Sequence, residues 1–269
     1  MKNFKGKAIY QPSGKAAEYS KWACNFYVGC SNGCTYCYCK KGILAGAMGM
    51  DKPQLKKCFK DETEAFNIFC NEFNKNIDEL KNHGIFLSFT TDPLLPETEM
   101  LTFWAAGYSL FNRVPVKLLT KCTDWVDVFL ERNKIMGVHN PDLISFGFTL
   151  TGHDELEPNA STNQERIDAM RKLHEAGFKT FASIEPIINI DSSFEMIFKS
   201  YSFCDLFKIG LESGKKYSKS ELQRFIKLIP HRVHESKIYF KDSLLKTAGI
   251  ARENLPANCV ESDFNIFGY

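Results

Sequence analysis

Three cysteines that lie close together are the residues of this sequence best suited to chemistry. Cys30, Cys34 and Cys37 are separated by gaps of three and two residues, and they follow a short apolar run. Gly29 and Gly33 each precede one of these cysteines, and glycine allows the backbone to turn tightly. The spacing therefore predicts a compact loop in which three thiolates converge on one small metal-containing group.

Two kinds of metal group fit three cysteines. Zinc usually takes four protein ligands in a structural site, or three and a water in a catalytic one, commonly from two separated pairs. His231 and His234 are the nearest approach to a second pair, but they fall between a predicted helix and a predicted strand, where surface residues are expected. A four-iron cluster commonly binds four thiolates, so three would leave one iron open to a chelating molecule. Cys39 is the alternative fourth ligand, although the chain would have to double back to bring it there.

The rest of the composition indicates a reduced, cytoplasmic protein. The chain has 269 residues, ten of them cysteines. It shows no apolar export signal after its basic start and no run approaching the roughly 20 apolar residues that cross a bilayer. We therefore expect no membrane partner and no disulfide framework. The scattered cysteines are predicted to be buried thiols: Cys24, Cys58, Cys70, Cys122, Cys204 and Cys259.

Positive charge is concentrated in the first sixty residues. The formal net charge of the whole chain is +2, but residues 1–60 contain eleven lysines against Glu18 and Asp51. A lysine-rich face near the cysteines would attract a phosphate-bearing partner. The alternative is an ordinary solvated surface, which dispersed lysines commonly form.

Short strands and longer helices alternate along most of the chain. Nearly continuous apolar runs predict buried strands at 85–89, 116–119, 143–148, 180–184 and 206–211, with 25–29 as a sixth and 237–240 as a possible seventh. Helical spacing predicts helices at 62–82, 98–112, 123–136, 162–176, 193–202 and 218–229. This alternation implies parallel strands joined by helical crossovers, and so an α/β barrel or an open doubly wound sheet. We expect one domain over residues 1–269, with residues 1–24 and 250–269 irregular.

Most of the predicted strands run directly into polar residues. In parallel α/β folds, reactive groups gather at the carboxyl ends of the strands, so we expect these residues to meet the cysteines around one mouth. Each also has an ordinary alternative; Asp92, for example, precedes Pro93 and could simply start a turn. The polar residues are Thr90, Thr91, Asp92, Thr120, Lys121, Thr149, Thr151, Glu185, Glu212 and Ser213.

The cysteine spacing, with the aromatic Tyr36 before the third cysteine, resembles the signature of the radical S-adenosylmethionine (radical SAM) superfamily. Together with the strand ends, the resemblance extends over about residues 22–245. Segments at 89–93, 118–121, 183–186 and 212–214 are similar to those of the spore photoproduct lyase-like branch, and more so to its uncharacterised phage-associated relatives.

The resemblance implies an α/β fold, a partial (β/α)6 TIM-like barrel with parallel strands, and a radical SAM enzyme. Cys30, Cys34 and Cys37 would hold a [4Fe-4S] cluster whose open iron chelates S-adenosyl-L-methionine. One electron from a flavodoxin- or ferredoxin-like reducing partner would then cleave the cofactor to methionine and a 5'-deoxyadenosyl radical, which abstracts hydrogen from the substrate. Some relatives return that hydrogen from a cysteine, and Cys204 or Cys259 could do so only by reaching the mouth.

The resemblance also implies which residues contact the cofactor. Thr90, Thr91 and Asp92 match the segment that meets the methionyl amino group, although the usual Gly-Gly-Glu is absent. Arg166 matches a basic residue near the methionyl carboxylate, which guanidinium suits; its alternative is an exposed helix residue paired with its neighbours. The remaining implied contacts are the ribose for Thr149 and Thr151, and the adenine for Tyr36, Glu185 and Ile187.

Two functions from different classes follow. The first is a radical enzyme acting on a nucleic acid or nucleotide, in repair or modification, which the lysine-rich start and the lyase-like segments favour. The second is a non-catalytic module, stabilised by zinc or an iron–sulfur cluster, that binds nucleic acid or a partner. The second accounts for the cysteines and lysines, but it leaves the polar strand ends unexplained.

Overall fold

The structure, a computed structural model, describes residues 3–268. Its strands are β1 Ile9–Tyr10, β2 Ala23–Cys24, β3 Tyr27–Val28, β4 Gln54–Leu55, β5 Ile85–Leu87, β6 Val116–Thr120, β7 Ile144–Thr149, β8 Lys179–Ile187, β9 Leu206–Leu211 and β10 Lys237–Phe240. Its helices are α1 Ala45–Met48, α2 Glu62–Lys75, α3 Ile77–His83, α4 Glu99–Phe111, α5 Val126–Met136, α6 Asn163–Glu175, α7 Ile190–Ser200, α8 Lys219–Arg232 and α9 Asp242–Ala248.

One eight-stranded sheet forms the centre of the molecule. Its strand order is β1-β2-β5-β6-β7-β8-β9-β10. All neighbours from β2 to β10 pair in parallel, and β1 adds to β2 in the antiparallel direction. Because helices connect successive parallel strands, the expected α/β fold with a partial TIM-like barrel is confirmed.

Most strand residues are buried on both faces, because helices cover one face and the barrel interior the other. Every residue of β7 and of β9 is buried, as nearly continuous apolar runs predict. The helices present one apolar face to this sheet; in α6, Ile167, Met170 and Leu173 are buried. The same helix begins at Thr162 with a capping box that includes Glu165.

The prediction that the strand at 25–29 belongs to the central sheet is wrong. Tyr27–Val28 pairs with β4 in a separate two-stranded sheet, whereas the barrel begins with Ala23–Cys24. Both segments are apolar, and a pattern of apolar residues does not say which of two adjacent segments pairs with β5. The cysteine loop therefore follows the small sheet.

The chain ends are more regular than expected. Residues 3–24 contain β1 and β2, and the tail contains a bridge from Cys259 to Ile238 and the buried Ile266. The predicted helix 62–82 is divided at Asn76 into α2 and α3. No helix within the described residues is both long and apolar enough to span a membrane. One domain over residues 1–269 stays a prediction.

Candidate metal and cofactor site

A cavity of about 370 Å³ opens at the carboxyl ends of the parallel strands. Such a volume lies within the range of roughly 300–1,000 Å³ that small-molecule sites occupy. The structure brings to this cavity the three predicted metal ligands and six of the predicted cofactor contacts: Cys30, Cys34, Cys37, Tyr36, Thr90, Thr91, Asp92, Thr149 and Glu185. Four further polar residues that were expected at the mouth also line it: Thr120, Lys121, Glu212 and Ser213.

The cysteine loop is tightly packed where it begins, at Gly29 and Cys30. Gly29 has a φ of +84°, and a Cβ atom there would lie 2.4 Å from the carbonyl oxygen of Lys52. The amide of Cys30 donates to the carbonyl oxygen of Met50 at 3.0 Å. Glycine is therefore required where the loop leaves β3, and it lets the first cysteine reach the cavity.

The three thiols differ in environment but share one side of the cavity. Cys34 is buried, and Cys30 and Cys37 are half-buried. Burial raises the pKa of Cys30 to about 11, whereas a hydrogen bond from Cys39 lowers the pKa of Cys37 to about 6. Soft thiolate donors of this kind suit iron–sulfur clusters and zinc.

Three thiols are a donor set that an iron–sulfur cluster can bind. Within residues 3–268, no three His, Cys, Asp or Glu side chains converge as closely as the ligands of a single metal ion. In a cubane each cysteine binds a different iron, so the ligands stand further apart. Cys30, Cys34 and Cys37 would supply three protein ligands to such a cluster.

Asp92 organises the loop rather than offering a free carboxylate. One carboxylate oxygen accepts from Asn32 Nδ2 at 2.8 Å and from the Lys121 amide at 2.7 Å. The other accepts from Thr120 Oγ1 at 2.6 Å and from the Leu94 amide at 3.1 Å. Since Asn32 lies inside the cysteine loop, Asp92 joins that loop to the end of β6.

Thr91 is the residue of its segment with a free hydroxyl. The neighbouring Thr90 donates its hydroxyl to the carbonyl oxygen of Tyr27 at 2.5 Å. Thr91 Oγ1 is buried and has no hydrogen-bond partner among the described residues, although the residue lines the cavity. A buried hydroxyl without a partner is costly, so this group is available for a further hydrogen bond.

Lys121 is a cationic residue of the cavity that was expected at the mouth but not as a contact of the cofactor. It follows β6, lines the cavity, and places its ammonium 5.7 Å from the centre of the Tyr36 ring. No carboxylate of residues 3–268 lies within ion-pair distance of it. The sequence feature that could have indicated such a contact is the position of Lys121 just after a predicted strand.

Three predicted contact residues lie behind the cavity. Arg166 is fully buried, and its guanidinium donates to Glu157, Ser161 and Thr149. Thr151 is also buried, and its hydroxyl accepts a hydrogen bond from a nearby backbone amide. Ile187 packs in the hydrophobic core. Their predicted contacts with the cofactor stay predictions, whereas the idea that Arg166 is exposed is wrong.

Glu185 reaches the cavity already bonded to protein. Its carboxylate lies 2.8 Å from the Lys241 ammonium and accepts from the Tyr19 hydroxyl at 2.9 Å. Tyr19 also lies 2.6 Å from the hydroxyl of Ser183. A Cβ atom at Gly210 would lie 2.8 Å from the Lys241 side chain, so glycine in β9 leaves room for this pair.

Of the scattered cysteines, Cys24, Cys122 and Cys204 are buried as predicted, whereas Cys70 and Cys259 are half-buried and Cys58 is exposed, so the prediction of burial is wrong for these three. Cys39 is buried and lines the cavity, so the structure brings it close to the three predicted ligands. Cys204 is buried away from the cavity and donates to the carbonyl oxygen of Leu206 at 3.3 Å. Cys259 is half-buried in the tail and also lies outside the cavity lining. Neither Cys204 nor Cys259 therefore reaches the mouth.

Comparison with known proteins gives two matches. The family model described as the Radical SAM superfamily matches residues 24–204 of the chain. An uncharacterised protein of Methanocaldococcus jannaschii is 26% identical over 181 residues, which cover 63% of this chain and 61% of that relative. The matched family region includes the cysteine loop and the strand ends from β5 to β8.

Proposed function

The chain belongs to the radical SAM superfamily, and we propose that it is an enzyme whose Cys30, Cys34 and Cys37 hold a [4Fe-4S] cluster beside S-adenosyl-L-methionine. The observation that carries the proposal is that these three thiols line one cavity together with Thr91 and Asp92. When bound, the cluster and its cofactor supply one-electron cleavage to methionine and a 5'-deoxyadenosyl radical that takes hydrogen from a substrate.

The chain's own residues would bind and orient the cofactor. The Thr91 hydroxyl is free to bond the methionyl amino group, and Asp92 fixes the cysteine loop beside it. The Lys121 ammonium would pair with the methionyl carboxylate, because it is the cavity lysine nearest the Tyr36 ring and has no carboxylate of its own. Thr149 and Glu185 are proposed for the ribose and adenine ends.

We further propose a nucleic-acid or nucleotide substrate, with a chemistry similar to the spore photoproduct lyase-like branch. Support comes from Lys15, Lys40 and Lys41, which belong to the lysine-rich start and line the cavity. Part of this charge is neutralised, because Lys40 lies 2.6 Å from the Asp51 carboxylate and Lys41 lies 2.9 Å from that of Glu212. A flavodoxin- or ferredoxin-like reductant is proposed as the electron donor.

The first experiment tests the cluster and the cleavage together. The protein is purified without oxygen, its iron and sulfide are measured, and it is reduced with S-adenosyl-L-methionine present. We expect about four irons per chain and formation of 5'-deoxyadenosine. Cys34→Ala should remove both the brown colour and the cleavage.

A matched control tests whether the loss of colour and cleavage is specific to the predicted cluster ligands. Cys58→Ala replaces an exposed cysteine outside the cavity lining, so colour and cleavage should be retained. A colourless zinc protein, or an iron protein that leaves S-adenosyl-L-methionine intact, would instead support the non-catalytic module.

A further inference from the structure

The segment between β7 and α6 runs along the cysteine loop and is bonded to it. The amide of Thr35 donates to the carbonyl oxygen of Leu156 at 3.0 Å, and the amide of Asn159 donates to that of Asn32 at 3.2 Å. Asn159 Nδ2 also donates to the carbonyl oxygen of Ser31 at 2.9 Å. Two parts of the chain more than a hundred residues apart therefore meet beside Cys34.

Glu157 stands at the centre of this contact. Its side chain and that of Arg166 are both fully buried, with Arg166 Nη2 at 2.6 Å from Glu157 Oε2. The other carboxylate oxygen of Glu157 accepts a hydrogen bond from the Tyr36 hydroxyl. Arg166 is fixed in turn, because Nε donates to Ser161 at 2.8 Å and Nη1 to Thr149 at 2.7 Å.

Stability alone gives a weak reason for a buried ion pair at this position. Apolar side chains of similar volume often stabilise a core as well, whereas a fully bonded ion pair fixes one arrangement of its neighbours. The neighbour fixed here is Tyr36, which lies between Cys34 and Cys37 in the sequence. With its hydroxyl bonded to Glu157 and the Lys121 ammonium near its ring, Tyr36 has little freedom to rotate.

We propose that Glu157 and Arg166 are positioning residues that act through the Tyr36 hydroxyl to set where Cys34 and Cys37 stand. This inference rests on the proposed function, since it takes these cysteines to be cluster ligands. It also gives Arg166 a role that needs no contact with the cofactor. The orientation of a ligand is commonly set by residues that bond to it from behind, and cluster properties respond to them.

Tyr36→Phe is the sharpest test, because it removes one hydroxyl and leaves the Glu157–Arg166 pair intact. Hydrogen exchange is measured on the apoprotein, and the electron paramagnetic resonance spectrum on the reconstituted, reduced protein. We expect amides of the loop from Cys30 to Cys37 to exchange about tenfold faster, and the cluster spectrum to change. Glu157→Gln should produce the same changes if it remains folded.

The matched control removes a similar bond elsewhere. Tyr239→Phe deletes a buried tyrosine hydroxyl that donates to Glu18 at 2.8 Å, so it should leave loop exchange and the cluster spectrum unchanged. Loop exchange and a spectrum in Tyr36→Phe that match the unaltered protein would overturn the positioning role. An unaltered protein that assembles no cluster would refute the proposed function instead, while the exchange comparison would still decide whether the loop is held.

Discussion

Asp92 and Lys121 are neighbours that the structure assigns to different tasks. The Asp92 carboxylate accepts four hydrogen bonds from protein groups, one of them from the Lys121 amide. The Lys121 ammonium faces the cavity without a carboxylate partner among residues 3–268. A cation without a carboxylate partner, in the same cavity as three thiols, is suited to the carboxylate of an amino-acid-like ligand end.

Replacing Lys121 therefore tests whether its ammonium contributes to binding of the cofactor. Lys121→Gln should raise the Kd for S-adenosyl-L-methionine by about 10- to 100-fold, because a hydrogen bond to a charged group contributes about 1.5–3 kcal/mol. The cluster itself should still form, since Lys121 is not among the ligands. Isothermal titration of the reconstituted protein under anaerobic conditions measures the affinity.

Lys41→Gln is the matched control for that change. Lys41 also lines the cavity, but its ammonium lies 2.9 Å from Glu212, so it has its own anion. We expect little change in cofactor affinity. Equal losses in the two variants would mean that general positive charge, and not a contact of Lys121, attracts the cofactor.

Most of the residues predicted for the site line one cavity, for a simple physical reason. Strands that run in parallel end at one edge, so polar residues in or soon after their last residues, such as Glu185 and Thr91, meet at the cavity. Arg166 could not be placed in this way. Its side chain points inward because Glu157, from another segment, offers a buried carboxylate, and no local pattern reveals such a partner.

At the scale of elements, the cysteine loop is held from two sides. On one side Gly29 packs against the backbone that leads into β4, and on the other the segment before α6 bonds to the loop. The alternation of apolar runs predicted β5 to β10, because strands buried on both faces leave a clear apolar signature. It did not distinguish β2 from β3, which are both short and apolar.

Gly29→Ala should damage this loop. The φ of +84° is unfavourable for alanine by roughly 1–2 kcal/mol, and its Cβ would clash with the Lys52 carbonyl oxygen at 2.4 Å. We expect a lower melting temperature and less iron per chain after reconstitution. Both are measured on the purified variant, by thermal denaturation and iron analysis.

Gly107→Ala is the control, because it should raise the stability of the protein where Gly29→Ala lowers it. Gly107 lies on the exposed side of α4, has no positive φ, and a Cβ there would meet no atom within 4 Å. Alanine should stabilise the helix by roughly 0.5–1 kcal/mol and leave the iron content unchanged. If Gly29→Ala retains full iron content, the loop is not held as tightly as its packing indicates.

The whole molecule is arranged around a barrel that the described strands leave open between β1 and β10. Glu18 and Tyr19 bridge this opening. The carbonyl oxygen of Glu18 accepts from Lys208 at 2.8 Å and its carboxylate from Tyr239 at 2.8 Å, while Tyr19 bonds to Glu185. The start of the chain, expected to be irregular, therefore forms part of the cavity wall.

The barrel interior also contains lysines whose charge is unfavourable there. Burial, and then repulsion from Lys117 and Lys241, lowers the pKa of Lys208 well below its ordinary value. Burial lowers the pKa of Lys117 to about 8. The sequence does not reveal that Lys117 and Lys208 are buried near each other, because their environment depends on how strands from distant segments face one another.

Lys117→Met should stabilise the protein at neutral pH. A lysine with a depressed pKa binds its proton less tightly when folded, so between about pH 8 and 10.5 the unfolded chain holds more protons and stability rises with pH. Below about pH 8 the cost of the buried charge is fully present, on the order of 1–3 kcal/mol. Methionine removes this cost and the repulsion on Lys208 and His83.

Thermal denaturation of the anaerobic, reconstituted protein at pH 7, 8, 9 and 10 should show the variant more stable at pH 7, with the difference narrowing as the pH rises. Lys134→Met, on the exposed surface of α5, should show neither effect; a pH-independent difference for Lys117→Met would show that the ammonium reaches water.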